Sequence, residues 1–422
     1  MYYYNKTAFY IILIFPIASI LGAPFVNFAL VISSIYYLYL KNKNKKKIFR
    51  EKWEYIFLIF WIYLIFISFF SIDFFKAFKA SFSQIRFILF SLFIGYYFNF
   101  FTSYKKIFIL WKLILTLVCL DVIYQFFNGV NFFGFPAEHY VPGVSDFSHI
   151  ARLGGVFNDE LVVGSFIAKL SYPLIFYMVY IFQSEKLYLK ILSLVLIILF
   201  SVSIFITGER LSLIIILSAI FFSSLLILDF KKIIILVVLL SSVGLIFYEQ
   251  NRFLKTRIKE TIQIVVNIQS SSYGRIFQSS YEVWEKNKFI GSGLKNYNNQ
   301  CVKLEDKNEH NSPFSYCSPT HSHNILLQIM SETGSVGLII FVALYFYLLK
   351  YLLVKYNRIK HKLNGEIKSV FIGCYVYILI TLFPFITSGS FFTSWNGSFF
   401  WLHIGLALAI LNEQKLSDKV KT

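Results

Sequence analysis

The chain has 422 residues, of which 57% are hydrophobic and only 15% charged, with mean hydropathy +0.65. That balance excludes an ordinary soluble domain. Repeated apolar runs near the ~20 residues that cross a bilayer point instead to an all-α polytopic membrane protein. The net charge of +18 falls in short loops between those runs, so it reports topology and contact with anionic lipid, and no nucleic-acid partner is implied.

About twelve spans are expected, over roughly 8–22, 24–40, 55–71, 83–101, 107–126, 160–182, 187–207, 211–228, 231–248, 324–349, 369–387 and 395–411. None shows the alternation of a barrel strand. Tyr2–Lys6 lead into an ordinary first span, with no sign of a cleavable leader. Pro16, Gly22 and Pro24 interrupt the first pair, which reads as a tight hairpin or a partly re-entrant segment.

Orientation follows from the basic loops. Lys41–Lys52, Lys105 and Lys106, Lys186 and Lys190, Lys231 and Lys232, Lys350–Lys368, and finally Lys415, Lys419 and Lys421 fall on one side. With both termini inside, all of them are cytoplasmic. The chain then divides into 1–248, about nine spans with an external loop at 127–159; 249–323, an external cap; and 324–422, about three spans. The loop contains turn signals at Asn128-Gly129 and Pro142-Gly143 and ends in RLGGVFNDELVVG, Arg152–Gly164. The cap is too long for a plain connector. Leu254, Ile258, Ile262, Val265 and Ile268 recur in it at helical spacing, as do Ile276, Phe277, Ser280, Tyr281 and Trp284. Cys119 and Cys374 lie in apolar runs and read as core. Cys301 and Cys317 both lie in the cap, where they could pair if the compartment is oxidising or remain two thiols.

Polar residues at the external edge carry the possible chemistry. In residues 319–337, PTHSHNILLQIMSETGSVG, Ser322 can cap a helix that stacks Asn324, Gln328 and Glu332 at i, i+4 and i+8. A polar stripe entering a membrane helix is costly unless it faces protein or water. His323 then sits in the first turn, where amide N–H groups and the helix dipole favour an anion. The bland reading is an interfacial cap. Arg210 follows Thr207-Gly208-Glu209 in a very tight hairpin at the membrane boundary. It reads as an anion clamp, or as half of an Arg210–Glu209 or lipid-phosphate contact. Arg275 opens the second cap helix after Ser270–Gly274, where guanidinium and helix amides could hold one phosphate; a solvated charge is the alternative. Arg152, Asp159 and Glu160 flank the sixth span and could orient the arginines or meet sugar hydroxyls, or simply charge a helix start. Adjacent carboxylates do not face each other, so no glycosidase pair is present. His321 and His323 have no carboxylate cluster at metal-ligand spacing, and nucleotide-type phosphate loops are missing from the sequence. No metal or cofactor is therefore expected, and the energy for any transfer should reside in a lipid-linked donor.

Assembled, these residues resemble the O-antigen ligase and O-antigen polymerase superfamily of bacterial inner-membrane proteins. His323-Asn324, Leu327-Gln328, Glu332, Gly334 and Gly337 are similar to its HNxxLQxxxExGxxG signature, and Gly291–Leu294 resembles the glycine turn before it. Thr207–Arg210 and Gly274-Arg275 look like its two arginine motifs. RLGGVFNDELVVG with Asp121, Tyr124-Gln125 and Gly129 looks like a subgroup's central motif, so the resemblance covers roughly 120–340. Glu209 departs from the small or neutral residue the motif leads one to expect. The resemblance implies a glycosyltransferase in the inner membrane, with its site on the periplasmic face. Its donor would be an undecaprenyl-diphosphate-linked glycan and its acceptor a lipid A-core sugar, for a ligase, or another lipid-linked glycan, for a polymerase. His323 would be the base, and Arg210 and Arg275 would hold the diphosphate. A polysaccharide transporter is a distant alternative, which would predict internal repeats and charges near midplane.

Overall fold

A computed structural model describes residues 6–138, 152–183, 186–228, 230–250, 252–306, 317–318, 320–384 and 387–412. Pro142-Gly143, Pro319, Lys415, Lys419 and Lys421 lie outside the described residues. The described chain is all-helical apart from turns and one isolated bridge, Val130–Pro136.

Helices α1 (Lys6–Ile20) and α2 (Ala23–Lys43) form a hairpin about Gly22, whose φ of 100° suits glycine. Then follow α3 (Lys52–Ser68), α4 (Phe74–Phe82), α5 (Ile85–Tyr97) and α6 (Phe100–Asn128). The expected single span at 83–101 is thus displaced. The apolar stretch begins at Phe74 and breaks around Ser83-Gln84, where Gln84 Nε2 turns back to the Ala80 carbonyl at 2.9 Å. Beyond the first loop come α7 (Val163–Ile181), α8 (Leu187–Ile206), α9 (Arg210–Ile227) and α10 (Phe230–Gln250). The segment read as a cap holds α11 (Arg252–Val266), α12 (Ser272–Lys286) and a third helix, α13 (Tyr297–Asp306), which periodicity had not indicated. Helices α14 (Ile325–Ile359), α15 (Gly365–Thr381) and α16 (Ser394–Ile410) complete the described chain.

A helix covers part of each of the twelve apolar stretches, although the 369–387 stretch runs beyond the end of α15 at Thr381. Seven stretches among the described residues are long and apolar enough to cross a membrane: α2, α4–α5 together, α6, α7, α8, α9 and α14. Helices α3, α15 and α16 have 17 residues each and fall just short of that length.

The way each helix is buried explains why most are apolar all round. Helix α7 is buried from Val163 to Val179 and packs on α6, α8, α9 and α15, which makes it the centre of the bundle. In α6, Phe108, Trp111, Leu115 and Val118 point inward while Ile109, Leu113 and Leu117 form an exposed stripe at i, i+4, i+8. That stripe would be an aggregation surface in water and is the natural contact for lipid tails.

Candidate functional site

The rim is shaped by a break in α14. Gly334 has φ 68° and ψ −175°, so the helix comes in two pieces, and the carbonyls ahead of the break lose their helical donors. The glycine turn supplies replacements. Ser292 N donates to Ser331 O at 2.9 Å, Gly293 N to Glu332 O at 2.8 Å, and the Tyr63 hydroxyl to Thr333 O at 2.8 Å. The two backbones are so close that a Cβ on Gly291 would stand 2.5 Å from Gly334 N, and one on Gly334 would stand 2.2 Å from Phe289 O. Those glycines are required by contact and by positive φ alike.

The helix does not start at Ser322. Asn324 is the N-cap, its Oδ1 accepting from Leu327 N at 3.0 Å, while the Ser322 hydroxyl bonds that of Ser331 at 3.2 Å. His323 therefore sits just outside the first turn, at φ 51°, with its carbonyl accepting from Ser388 N at 2.7 Å. Its ring centroid lies 4.3 Å from that of His321 and 6.1 Å from that of Tyr273, edge to face.

The two imidazoles are not equivalent. A carbonyl can only accept, so His321 Nε2 must donate to Ser388 O at 3.0 Å, and its Nδ1 then accepts from the Thr320 hydroxyl at 2.8 Å. Both nitrogens are spent. The ring nitrogens of His323 make no hydrogen bond among the described residues. Burial lowers the pKa of His323, and burial together with the His323 charge pushes His321 down to about 4 against the Ser388 bond. Both rings are thus neutral near pH 7.

Glu209 and Arg210 part at the α8–α9 hairpin. Glu209 accepts from Gly164 N at 2.7 Å, Ser165 N at 2.9 Å and the Ser212 hydroxyl at 2.8 Å, satisfying buried first-turn amides at the start of α7. Arg210 Nη2 pairs with Glu260 Oε2 at 2.7 Å, and Arg257 Nη1 reaches the same oxygen at 3.1 Å. Arg257 Nε also donates to Gly208 O at 3.3 Å. Tyr273 lies close enough to Arg210 to act on its charge, which links the arginine pair to His323. Arg275 is exposed, the fourth residue of α12 after the Ser271 cap, with no ion pair or side-chain hydrogen bond among the described residues. No bond among the described residues ties it to the Arg210 cluster.

The remaining sequence candidates are mostly engaged with protein. Asn324 Nδ2 donates to Pro384 O at 2.6 Å, and Gln328 binds Ser390 Oγ at 2.8 Å and Phe391 N at 3.1 Å. These amides hold the segment around Ser388 in place. Glu332 is fully buried; its Oε2 meets Gln328 Nε2 at 3.4 Å, and the Lys295 backbone also acts on its carboxyl. Arg152 Nη2 donates to Leu161 O at 3.2 Å and its charge acts on Glu209, while Asp159 is exposed. Cys301 and Cys317 are joined, S–S 2.03 Å, between α13 and the strand of chain leading to the histidines.

Sequence reasoning passed over Glu260, Arg257 and Tyr273, each of which looks like an ordinary polar position on a surface helix. It also passed over Lys169, mid-way along α7 and only 8% exposed, whose Nζ donates to Asn396 Oδ1 at 2.5 Å and lies 4.7 Å from the Trp395 ring. A signal for Lys169 existed, since a lysine in the middle of an apolar span invites a search for its partner. Lys169 and Asn396 line a small cavity with Ile325, Ser388 and Gly389, immediately behind the histidine turn.

The fold and rim define a multi-pass membrane protein with an arginine–carboxylate–tyrosine–histidine cluster at the end of a broken helix. Residues 173–342 match the family described as O-antigen ligase, which supports membership of the O-antigen ligase and polymerase superfamily. The match takes in Arg210, Arg275 and the His323–Gly337 signature, and leaves out Arg152 and Asp159. No curated protein matches the chain.

Proposed function

We propose that the chain is a ligase-type glycosyltransferase. It would move a glycan from an undecaprenyl-diphosphate carrier to a hydroxyl of a lipid A-core sugar, on the periplasmic face of the inner membrane. The observation that carries this reading is the contrast between the histidines: His321 has both nitrogens engaged, while the ring nitrogens of His323 make no hydrogen bond among the described residues and its ring packs edge to face on Tyr273.

In this reaction the acceptor oxygen attacks the anomeric carbon as His323 takes its proton. The bond from that carbon to the diphosphate oxygen breaks, and the diphosphate leaves on the lipid. One displacement inverts the anomeric configuration. Arg210 and Arg257 hold the developing charge, with Glu260 occupying the anion position until the donor arrives. Arg275 would meet the donor from the cap. Asn324 and Gln328 act as wall supports, and Arg152 acts through Glu209.

A polymerase would use the same donor geometry with a second lipid-linked glycan as acceptor. The lipopolysaccharide of a deletion strain separates the two. Bare core with accumulated long lipid-linked chains supports the ligase, whereas core bearing one repeat assigns a polymerase and overturns it.

A further inference from the structure

Helix α14 runs 35 residues, about 50 Å at 1.5 Å per residue before its kink is allowed for. Its far end is therefore remote from the histidines. There a cavity of about 350 Å³ opens between the last turns of α14, the start of α3 and the ends of α5 and α16. Its floor is apolar, made by Leu92, Gly95, Leu408 and Leu411. A Cβ on Gly95 would stand 2.7 Å from Leu408 Cβ, so the floor is a close helix crossing with no room for more side chain.

The rim carries Arg50, Lys355 and Arg358 together with Glu51 and Glu54. Both carboxylates are already matched. Glu54 accepts from Arg50 N at 2.5 Å and Glu51 N at 3.2 Å in the capping box of α3, and Glu51 pairs with Lys355 at 3.1 Å. The Tyr96 ring, also in the lining, has the Arg50 guanidinium at 5.6 Å and the buried Lys41 ammonium at 4.1 Å. Arg358 is exposed, and its side chain has no ion pair or hydrogen bond among the described residues. Counting Lys41, four cations face two carboxylates. A second cavity of about 280 Å³ continues along α14 and shares Lys355 and Arg358.

We propose that this cup is a binding site for the headgroup of an anionic phospholipid. The phosphate would lie between Arg50 and Arg358, with the glycerol and the root of the acyl chains on the Leu92–Gly95–Leu408 floor. Arginine suits the role because its fork matches two phosphate oxygens. The apolar floor at the helix ends favours a phosphate with a tail over a free anion, and cationic pockets between membrane helices are a recurrent lipid-binding chemistry. A lipid there would tie together the ends of α3, α5, α14 and α16. The site is separate from the diphosphate cluster and does not depend on the reading given to it.

The test is lipid titration of the purified protein in detergent, read by native mass spectrometry and by Tm. The probes are phosphatidylglycerol, phosphatidylcholine and inorganic phosphate. The variants are Arg358→Gln, Arg50→Gln/Arg358→Gln, and a control, Lys360→Gln/Lys362→Gln, which removes exposed charge outside the cup. Phosphatidylglycerol should bind the wild type and the control equally and raise their Tm. Its affinity should fall about fivefold in Arg358→Gln, equivalent to about 1 kcal/mol, and further in the double variant. Arg358→Gln keeps the test readable if the double variant does not fold, because the Arg358 side chain makes no bond among the described residues. Equal losses in cup and control variants would assign the effect to diffuse surface charge and overturn the site. Binding of phosphatidylcholine as tightly, or an equal response to inorganic phosphate alone, would overturn an anionic-lipid site as well.

Discussion

Glu209 and Arg210 are neighbours in the chain but bind different parts of the protein. The carboxylate accepts the Gly164 and Ser165 amides at 2.7 and 2.9 Å, and the guanidinium reaches Glu260 at 2.7 Å. The adjacent acid therefore does not neutralise Arg210. If Arg210 holds a diphosphate, Arg210→Lys should insert normally and lose at least about tenfold in turnover, because lysine keeps the charge but not the fork. Transfer from a defined lipid-linked donor by purified variants is the measurement. Wild-type turnover would mean that charge alone suffices.

Glu260 offers a sharper test. Its Oε2 lies between Arg210 and Arg257, where a phosphate oxygen would sit, so donor binding must displace it. Glu260→Gln should weaken that competition and lower the KM for the donor several-fold with little change in kcat. A raised KM would show that the carboxylate builds the site and does not stand in for its ligand.

Much of this architecture can be read from the sequence, for physical reasons that also set the limits. Apolar runs of bilayer length announce helices because no other open structure satisfies its backbone in lipid. The break in α14 is not announced, since it depends on Gly291 meeting Gly334 across a long stretch of chain. The helix start is displaced because Ser322 and Asn324 are both good caps; Asn324 takes the role, and Ser322 is drawn to Ser331. Glu260 is hidden because an acid three residues after an arginine on a charged helix looks like a solvated pair. Only the turn that brings α11 over Gly208 gives it Arg210 as well.

Arg275 separates function from stability cleanly. Its side chain is exposed and makes no bond among the described residues, so Arg275→Gln should leave Tm within the range of a neutral surface change, about 0.5 kcal/mol or less. A loss of transfer at unchanged Tm would support a donor contact from the cap. Unchanged transfer would leave Arg210 and Arg257 as the whole clamp.

The Cys301–Cys317 bond closes a loop with a sequence separation of 16, worth about 3 kcal/mol in the chain-entropy model. Both thiols should resist alkylation in intact cells until reductant is added, and Cys317→Ser should lower Tm. Labelling of Cys317 without reductant would reject an oxidising location for this segment.

The last prediction concerns the pH dependence of transfer. A base must be neutral to act, and burial sets the pKa of His323 below its ordinary value. In the free enzyme, kcat/KM should therefore hold at neutral pH and fall as pH drops through that depressed pKa. A bound diphosphate favours the imidazolium and raises the pKa again. Because kcat/KM reports the free enzyme and kcat the complex, the acid limb of kcat should lie at higher pH than that of kcat/KM. His323→Ala should cost about 10²–10⁴-fold in turnover and abolish the limb, with donor binding retained. His321→Ala should be milder and keep the limb, since its nitrogens hold Thr320 and Ser388 and have no lone pair to spare. A larger loss from His321→Ala, or a limb that survives His323→Ala, would move the base to another residue.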